Sequence, residues 1–314
     1  PDIMRISANG GMNSQSNAQK REDQISGKHM RRGRKRKMET GKIKLVAADM
    51  DGTLLNRDRK ITQYTQDVIK KAARRGVYFV PATGRAVNAL PEELKAMEEV
   101  RYGIFSNGAT IYDLKEKKVL YKNQFPKERI LELLDWLKQF DAMASFSMDG
   151  QSYAQRSDMD NIDYYELDEN TRSVVQGSRK IVPDLKNLLK KDGQTVEKIT
   201  LLFKTMEERE RVKKALGEIK DIQFASSLPK NVEISQKGCN KGDGLFHLAQ
   251  ILGIDKEETM ACGDADNDQE MLENAGFAVV MENGLDSMKA IADYITVSNQ
   301  ENGVAKAMEK FVLR

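Results

Sequence analysis

Four short polar clusters carry the chemistry open to this chain. Asp49-Met50-Asp51-Gly52-Thr53 holds two carboxylates two residues apart; in extended backbone they project to one side and can face one ligand. Gly52 permits a sharp exit, although the same residues would also serve as a plain polar turn. Thr83-Gly84-Arg85 offers a hydroxyl and, at a helix start, free amides that hold an anion, or simply an N-cap. Lys241, in Cys239-Asn240-Lys241-Gly242, adds an ammonium ahead of a helix over 243–252, where a solvated lysine is the plain alternative. Gly263-Asp264-Ala265-Asp266-Asn267-Asp268 places three acids in five residues. A calcium-binding EF-hand would need Gly and Glu where the chain has Gln269 and Ala275. Asp266 as a helix N-cap would explain only one of the acids. Hard oxygen ligands for Mg²⁺, beside hydroxyl, amide and ammonium groups for phosphate, suit phosphoryl transfer. No Gly-x-x-x-x-Gly-Lys-Ser/Thr run is present to suggest a nucleoside triphosphatase instead.

Each cluster follows a run that reads as a buried strand. Ile43–Ala48 is nearly continuous in apolar residues, and Val77–Ala82, Gly103–Ser106, Thr259–Cys262, Phe277–Met281 and Tyr294–Val297 continue the pattern. Helical periods separate them: about 63–75 after a Thr62 cap and closed by Gly76, an interrupted one at Pro91, then Gln269–Asn274, Asp286–Ala292 and Gly303–Val312. Strands apolar on both faces and spaced by helices predict an α/β fold, a Rossmann-like parallel sheet covered on each side. In such sheets ligands bind at the carboxyl ends of the strands, where all four clusters fall.

The middle of the chain differs. Thr110–Tyr112 and Lys118–Tyr121 suggest a hairpin, and Pro126–Phe140 an amphipathic helix. Met143–Ser147 and Ser152–Gln155 flank an Asp149-Gly150 turn; Lys198–Phe203, a helix over Glu207–Ile219 and Ile222–Ser226 follow. The expected division is a basic, disordered tail over 1–40, a catalytic core over 41–125 and 229–314, and an inserted α+β cap over 126–228. His247 is expected to pack beside Leu245 and Leu248, Cys262 to lie inside the sheet, Cys239 to approach the site without a role, and Trp136 to border the cap helix.

Composition removes several classes. The 314 residues suffice for one large domain or two ordinary ones. Two cysteines build no disulfide framework and suit a reducing, cytoplasmic setting. Two histidines argue against a Ser-His-Asp triad or a His-rich zinc site. No apolar run approaches the roughly 20 residues that span a bilayer. The net charge of +3 arises in residues 1–40, which carry ten Lys/Arg against four Asp/Glu. That tail could meet phosphate backbones or anionic lipid by charge alone, but a solvated charge run without a partner is the expected state, and nucleic acid is not an expected partner. Because the chain opens at Pro1, the working protein is expected to begin near Met30 or Met38.

With these residues assembled, the chain resembles the haloacid dehalogenase-like phosphatase superfamily, whose first motif is Asp-x-Asp-Gly-Thr, and within it the Cof-type hydrolases. Asn107-Gly108-Ala109 and Asn302-Gly303-Val304-Ala305 match further, over about residues 42–314. The resemblance implies that Asp49 is the nucleophile, forming an aspartyl-phosphate, and that Asp51 is the general acid and base. It also implies a Mg²⁺ ion held by Asp49, the Asp51 backbone carbonyl and Asp264, with Asp268 either a direct ligand or a partner of the ligands. Met50 (through its amide), Thr83, Gly84, Lys241 and Asn267 would hold the phosphoryl group. Thr83 and Lys241 are 158 residues apart, which places the cap between them as in the Cof group. Residues near Ser145–Arg156 and Asp158–Arg172 are candidates for substrate selection. The implied activity is hydrolysis of a small phosphorylated metabolite, a sugar phosphate or cofactor-precursor phosphate. Its competitors are a phosphosugar mutase and, outside enzymes, a phosphate-sensing or nucleic-acid-associated module using the tail. The sequence leaves the oligomeric state open.

Overall fold

The structure, a computed structural model, describes residues 42–314. The expected tail over 1–40 lies outside the described residues. In chain order the strands are β1 (Leu45–Ala48), β2 (Tyr78–Pro81), β3 (Tyr102–Phe105), β4 (Thr110–Asp113), β5 (Lys118–Lys122) and the short β6 (Phe125–Pro126). Then come β7 (Ala142–Met148), β8 (Gln151–Gln155), β9 (Arg179–Val182), β10 (Thr195–Val196), β11 (Lys198–Phe203), β12 (Ile222–Ala225) and β13 (Asn231–Gln236). The last three are β14 (Thr259–Gly263), β15 (Phe277–Val280) and β16 (Tyr294–Ile295).

Five of these form a parallel sheet in the order β16-β15-β14-β1-β2. Alternate residues enter opposite cores. Val46, Ala48, Phe79, Cys262 and Val279 pack toward the helices Gln63–Ala73 and Gly303–Phe311. Leu45, Ala47, Val80, Ala261 and Val280 pack toward Lys241–Leu252 and Gln269–Asn274. Both faces are dry, which is why these strands lack polar alternation. Thr62 caps the first helix by accepting from the Thr65 amide, and Gly76 follows it at φ +77°.

The expected third strand does not extend the parallel ladder. β3 touches β2 through one bridge, Ala82 to Ile104, and otherwise pairs antiparallel with β4 and, through it, β5. The cause is local: Tyr78 and Ala82 donate toward β1, while Thr83 donates to Ile104 at 2.8 Å. Pro81 stands on that same outward side and has no N–H to give, so the ladder shrinks to its end.

A separate six-stranded sheet, ordered β12-β13-β11-β7-β8-β9, builds the cap. It is antiparallel except for β8 with β9. Phe146, Ile199, Leu201, Phe203, Val232 and Ile234 form one face, covered by the helices Lys127–Leu137 and Met206–Leu216. The alternating positions are polar yet buried: Ser145, Ser147, Lys198, Thr200, Glu233 and Ser235. β13 pairs with β11 and β12 in this sheet, so the chain leaves the sheet only after Gln236, past the expected division at 228/229. β9 and the two-stranded β6–β10 pair are further elements that apolar patterning does not reveal, because each is short or half polar.

Candidate active site

The site assembles where β1, β2 and β14 end. After β1 the Leu54 and Leu55 amides bond back to the Met50 carbonyl at 3.1 and 2.9 Å, closing a tight turn around buried Met50. Gly52 sits at φ +89°, and a Cβ there would lie 2.4 Å from Asp264 Oδ2. Only glycine lets the two acidic segments approach this closely. Thr53 donates to Asp264 Oδ1 at 2.5 Å from the same turn.

Asp49 is buried and lies 2.5 Å from Lys241 Nζ through Oδ1. Lys241, the first residue of its helix and fully buried, also donates to Asp268 Oδ1 at 2.7 Å. Asp268 Oδ2 accepts the Asp264 and Ala265 amides at 2.9 and 3.1 Å. Asp268 therefore organises the turn after β14; Asp266, which could have been the cap, is exposed instead. Carboxylate oxygens of Asp49, Asp264 and Asp268 all lie within 4.8 Å of one another. Three hard oxygen donors at that spacing fit a Mg²⁺-sized ion.

The electrostatics are tense. Burial pushes the Asp49 carboxyl well above its ordinary range, with Lys241 pulling the other way. Burial, reinforced by the charge of Asp268, raises Asp264 to about 6. Burial also opposes the Lys241 ammonium, but Asp268 and Asp49 together hold its pKa above the usual lysine value. Packing three acids around one lysine leaves an excess of negative charge that a divalent cation would offset.

Asp51 behaves differently. Its side chain is half exposed and accepts both arms of the Arg85 guanidinium, Nη2 at 2.5 Å and Nε at 2.9 Å. It does not join the three-carboxylate cluster, which leaves its backbone carbonyl as the group the resemblance assigns to metal. Thr83 is buried and its Oγ1 accepts the Arg85 amide at 3.1 Å. Gly84 and Asn267 line the same cavity as Asp49 and Asp51.

Sequence reasoning leaves Arg85 without a role beside Thr83 and Gly84, and Asn107 likewise. Ser106, Asn107 and Gly108 occupy successive left-handed conformations, φ 51°, 56° and 95°. A Cβ on Gly108 would come within 2.1 Å of the Asn240 carbonyl oxygen. The turn places Asn107 Nδ2 2.7 Å from Glu233 of the cap sheet, while its Oδ1 lies 3.5 Å from Asn267 Nδ2. Glu233 also pairs with Lys198, and Ser106 donates to Glu197, whose other oxygen accepts the Gly150 amide at 2.7 Å. An Asn-Gly pair in a turn was the legible signal; its cap partners were not.

Of the remaining residues, Cys262 is buried in the sheet, and Cys239 is buried with its Sγ 3.7 Å from the Asn107 carbonyl. Burial raises both thiols to about 12. His247 does not sit in the core beside Leu245 and Leu248; it is half-buried and stacks on Tyr121 at 4.1 Å. Trp136 packs against the cap core with its ring 4.9 Å from Phe140.

A cavity of about 700 Å³ spans the carboxylates and the cap. Gln151, Ser152, Thr171, Arg179, Lys198 and Asn231 line its cap side, so both expected selection segments reach it. Among the described residues no helix is long and apolar enough to cross a membrane.

The profile of the haloacid dehalogenase-like hydrolases matches residues 46–308. A Bacillus subtilis 5-amino-6-(5-phospho-D-ribitylamino)uracil phosphatase is 31% identical over 275 residues, covering 86% of this chain and 96% of its own length. The solved structure of a haloacid dehalogenase-like hydrolase from B. subtilis superposes with a TM-score of 0.74 at 29% identity, covering 85% of this chain and 99% of that one. A sugar phosphatase of subclass IIB gives a TM-score of 0.71 at 25% identity, covering 86% and 100%.

Proposed function

This chain belongs to the haloacid dehalogenase-like hydrolase family, and on that premise we propose that it is a Mg²⁺-dependent phosphatase of small phosphorylated metabolites. The observation that carries the reading is the buried Asp49 carboxylate, 2.5 Å from Lys241 and clustered with Asp264 and Asp268. A carboxylate attacking a phosphate dianion faces like-charge repulsion, and this is an arrangement that offsets it.

In the proposed reaction an Asp49 oxygen forms a bond to phosphorus as the ester oxygen departs on the opposite side. Asp51 gives that oxygen its proton, which requires the Arg85 pair to be relinquished when the acid is protonated. The resulting aspartyl-phosphate is cleaved by water, whose proton returns to Asp51, releasing phosphate and regenerating Asp49. Thr83, the Gly84 and Met50 amides, Asn267 and Lys241 hold the transferring group. Asp49, Asp264, Asp268 and the Asp51 carbonyl would hold Mg²⁺, which when bound neutralises charge on the phosphoryl oxygens. Lys241 also favours the ionised, nucleophilic form of an Asp49 that burial would otherwise protonate.

The polar cap wall and the substrates that the relatives' names state support a sugar phosphate or cofactor-precursor phosphate as the substrate class. A panel of phosphorylated metabolites, assayed for phosphate release with Mg²⁺, tests the reading. Mg²⁺-dependent release that Asp49→Asn abolishes is the expected result; release at an undiminished rate by that variant would overturn it.

A further inference from the structure

The cap wall of the cavity holds a positive charge that the proposed reaction does not use. Arg179 opens β9, pairs with Ser152 of β8, and lines the cavity. Its Nε donates to Ser145 Oγ at 3.1 Å, which fixes the guanidinium over the polar face of the cap sheet. Among the described residues Ser145 is the one hydrogen-bond partner of that side chain, and no carboxylate pairs with it. Lys198, its neighbour on that face, is already neutralised by Glu233. Exposed Lys180 lines the same cavity and adds a second cation.

A half-buried guanidinium without a carboxylate in contact is costly, because it gives up water and gains only one neutral hydroxyl acceptor in return. Burial brings Arg179 down to about 10, although Glu233 acts in the opposite direction. The cap wall of the cavity thus carries Arg179 and Lys180 in excess of one neutral Lys198–Glu233 pair, while on the core side Asp49, Asp51 and Asp264 stand with Arg59 and with Arg85, which pairs with Asp51. The groups that would hold the scissile phosphoryl all lie on the core side, so the cap cation is left for another part of the ligand. A planar fork with free N–H groups matches a carboxylate or a phosphate.

We propose that Arg179 forms a second anion subsite, selecting phosphomonoesters that carry another anionic group on the leaving-group side. The inference rests on the phosphatase reading and narrows its substrate class. Carboxylate and phosphate share the recognising chemistry, and separate probes distinguish them.

The test compares kcat/KM of the Mg²⁺-loaded full chain for glucose 6-phosphate, 6-phosphogluconate and glucose 1,6-bisphosphate. At least one of the acidic probes is expected to exceed glucose 6-phosphate about tenfold or more, the scale of one charge-assisted contact. Which one does so identifies the second group. R179Q is expected to cut that ratio about tenfold, mainly through KM, and R179K to restore part of it. An unchanged ratio in R179Q, or a wild-type preference for glucose 6-phosphate over both acidic probes, would overturn the proposal. If R179Q does not fold by circular dichroism, the ratio in R179K decides in the same two directions. Failure of the phosphatase reading looks different: no probe, nor p-nitrophenyl phosphate, releases phosphate. Calorimetric titration of glucose 1,6-bisphosphate then decides the subsite alone, binding about tenfold weaker in R179Q upholding it and equal binding refuting it.

Discussion

Replacing Lys241 by Met tests the electrostatic core of the site most directly. The substitution keeps an unbranched side chain one atom shorter and removes the ammonium that bonds Asp49 at 2.5 Å and Asp268 at 2.7 Å in a fully buried setting. Removing one partner of a buried ion pair costs about 3–5 kcal/mol, because the remaining charge keeps its desolvation penalty. For a domain of this size that corresponds to a fall in Tm of roughly 6–20 °C. The loss depends on pH, and its sign can be worked out. Burial already raises Asp49, and without Lys241 it rises further. A carboxyl whose folded pKa exceeds its unfolded value destabilises the fold increasingly as pH climbs from the unfolded to the folded pKa. The Tm deficit of Lys241→Met is therefore larger at pH 8 than at pH 5, where Asp49 can take up a proton. Catalysis should fall by about 10²–10³ in kcat, the usual effect of one lost preorganised group. Melting curves at the two pH values and a p-nitrophenyl phosphate assay provide both readouts. A kcat reduced less than threefold, or a Tm deficit equal at both pH values, would refute the reasoning.

Other expectations follow from the same geometry. Asp49→Asn should lower turnover of an aryl phosphate by about 10³ or more, since an amide cannot serve as the nucleophile; EDTA should abolish activity and added Mg²⁺ restore it. Asp264, raised to about 6, is ionised at pH 8 and largely protonated at pH 5, so saturating Mg²⁺ should raise Tm more at pH 8, and an equal increase would remove Asp264 from the ligand set. Gly108→Ala should destabilise the protein by more than about 1 kcal/mol in urea, because its φ is +95° and the new methyl would meet Asn240. Both buried thiols, raised to about 12, should resist a thiol reagent until the chain unfolds; labelling of the native protein at the rate of a free cysteine would contradict their placement.

Local patterning sufficed for the α/β core and the four clusters. Runs such as Leu45–Ala48 and Phe277–Val280 are apolar at every position because both sheet faces are covered, and that signal needs no distant partner. Asp49, Thr83 and Asp264 were legible for a related reason: each follows such a run, and in a parallel sheet the carboxyl ends share a rim; Lys241 instead opens the helix after the antiparallel cap strand β13, and only the fold brings it to that rim. Pairings between distant segments needed the folded chain. Arg85 had no assigned role until the fold set its guanidinium against Asp51. β13 alternates Asn231, Glu233 and Ser235 with Val232 and Ile234, as a solvent-facing strand would, yet its polar side turns toward the cap cavity wall and is buried. Arg179 stood in a half-polar stretch with no apolar period, and its significance came from having Ser145, rather than a carboxylate, as its neighbour. Periodicity reports which face of an element is dry; it carries no record of which distant charge completes, or fails to complete, a buried pair.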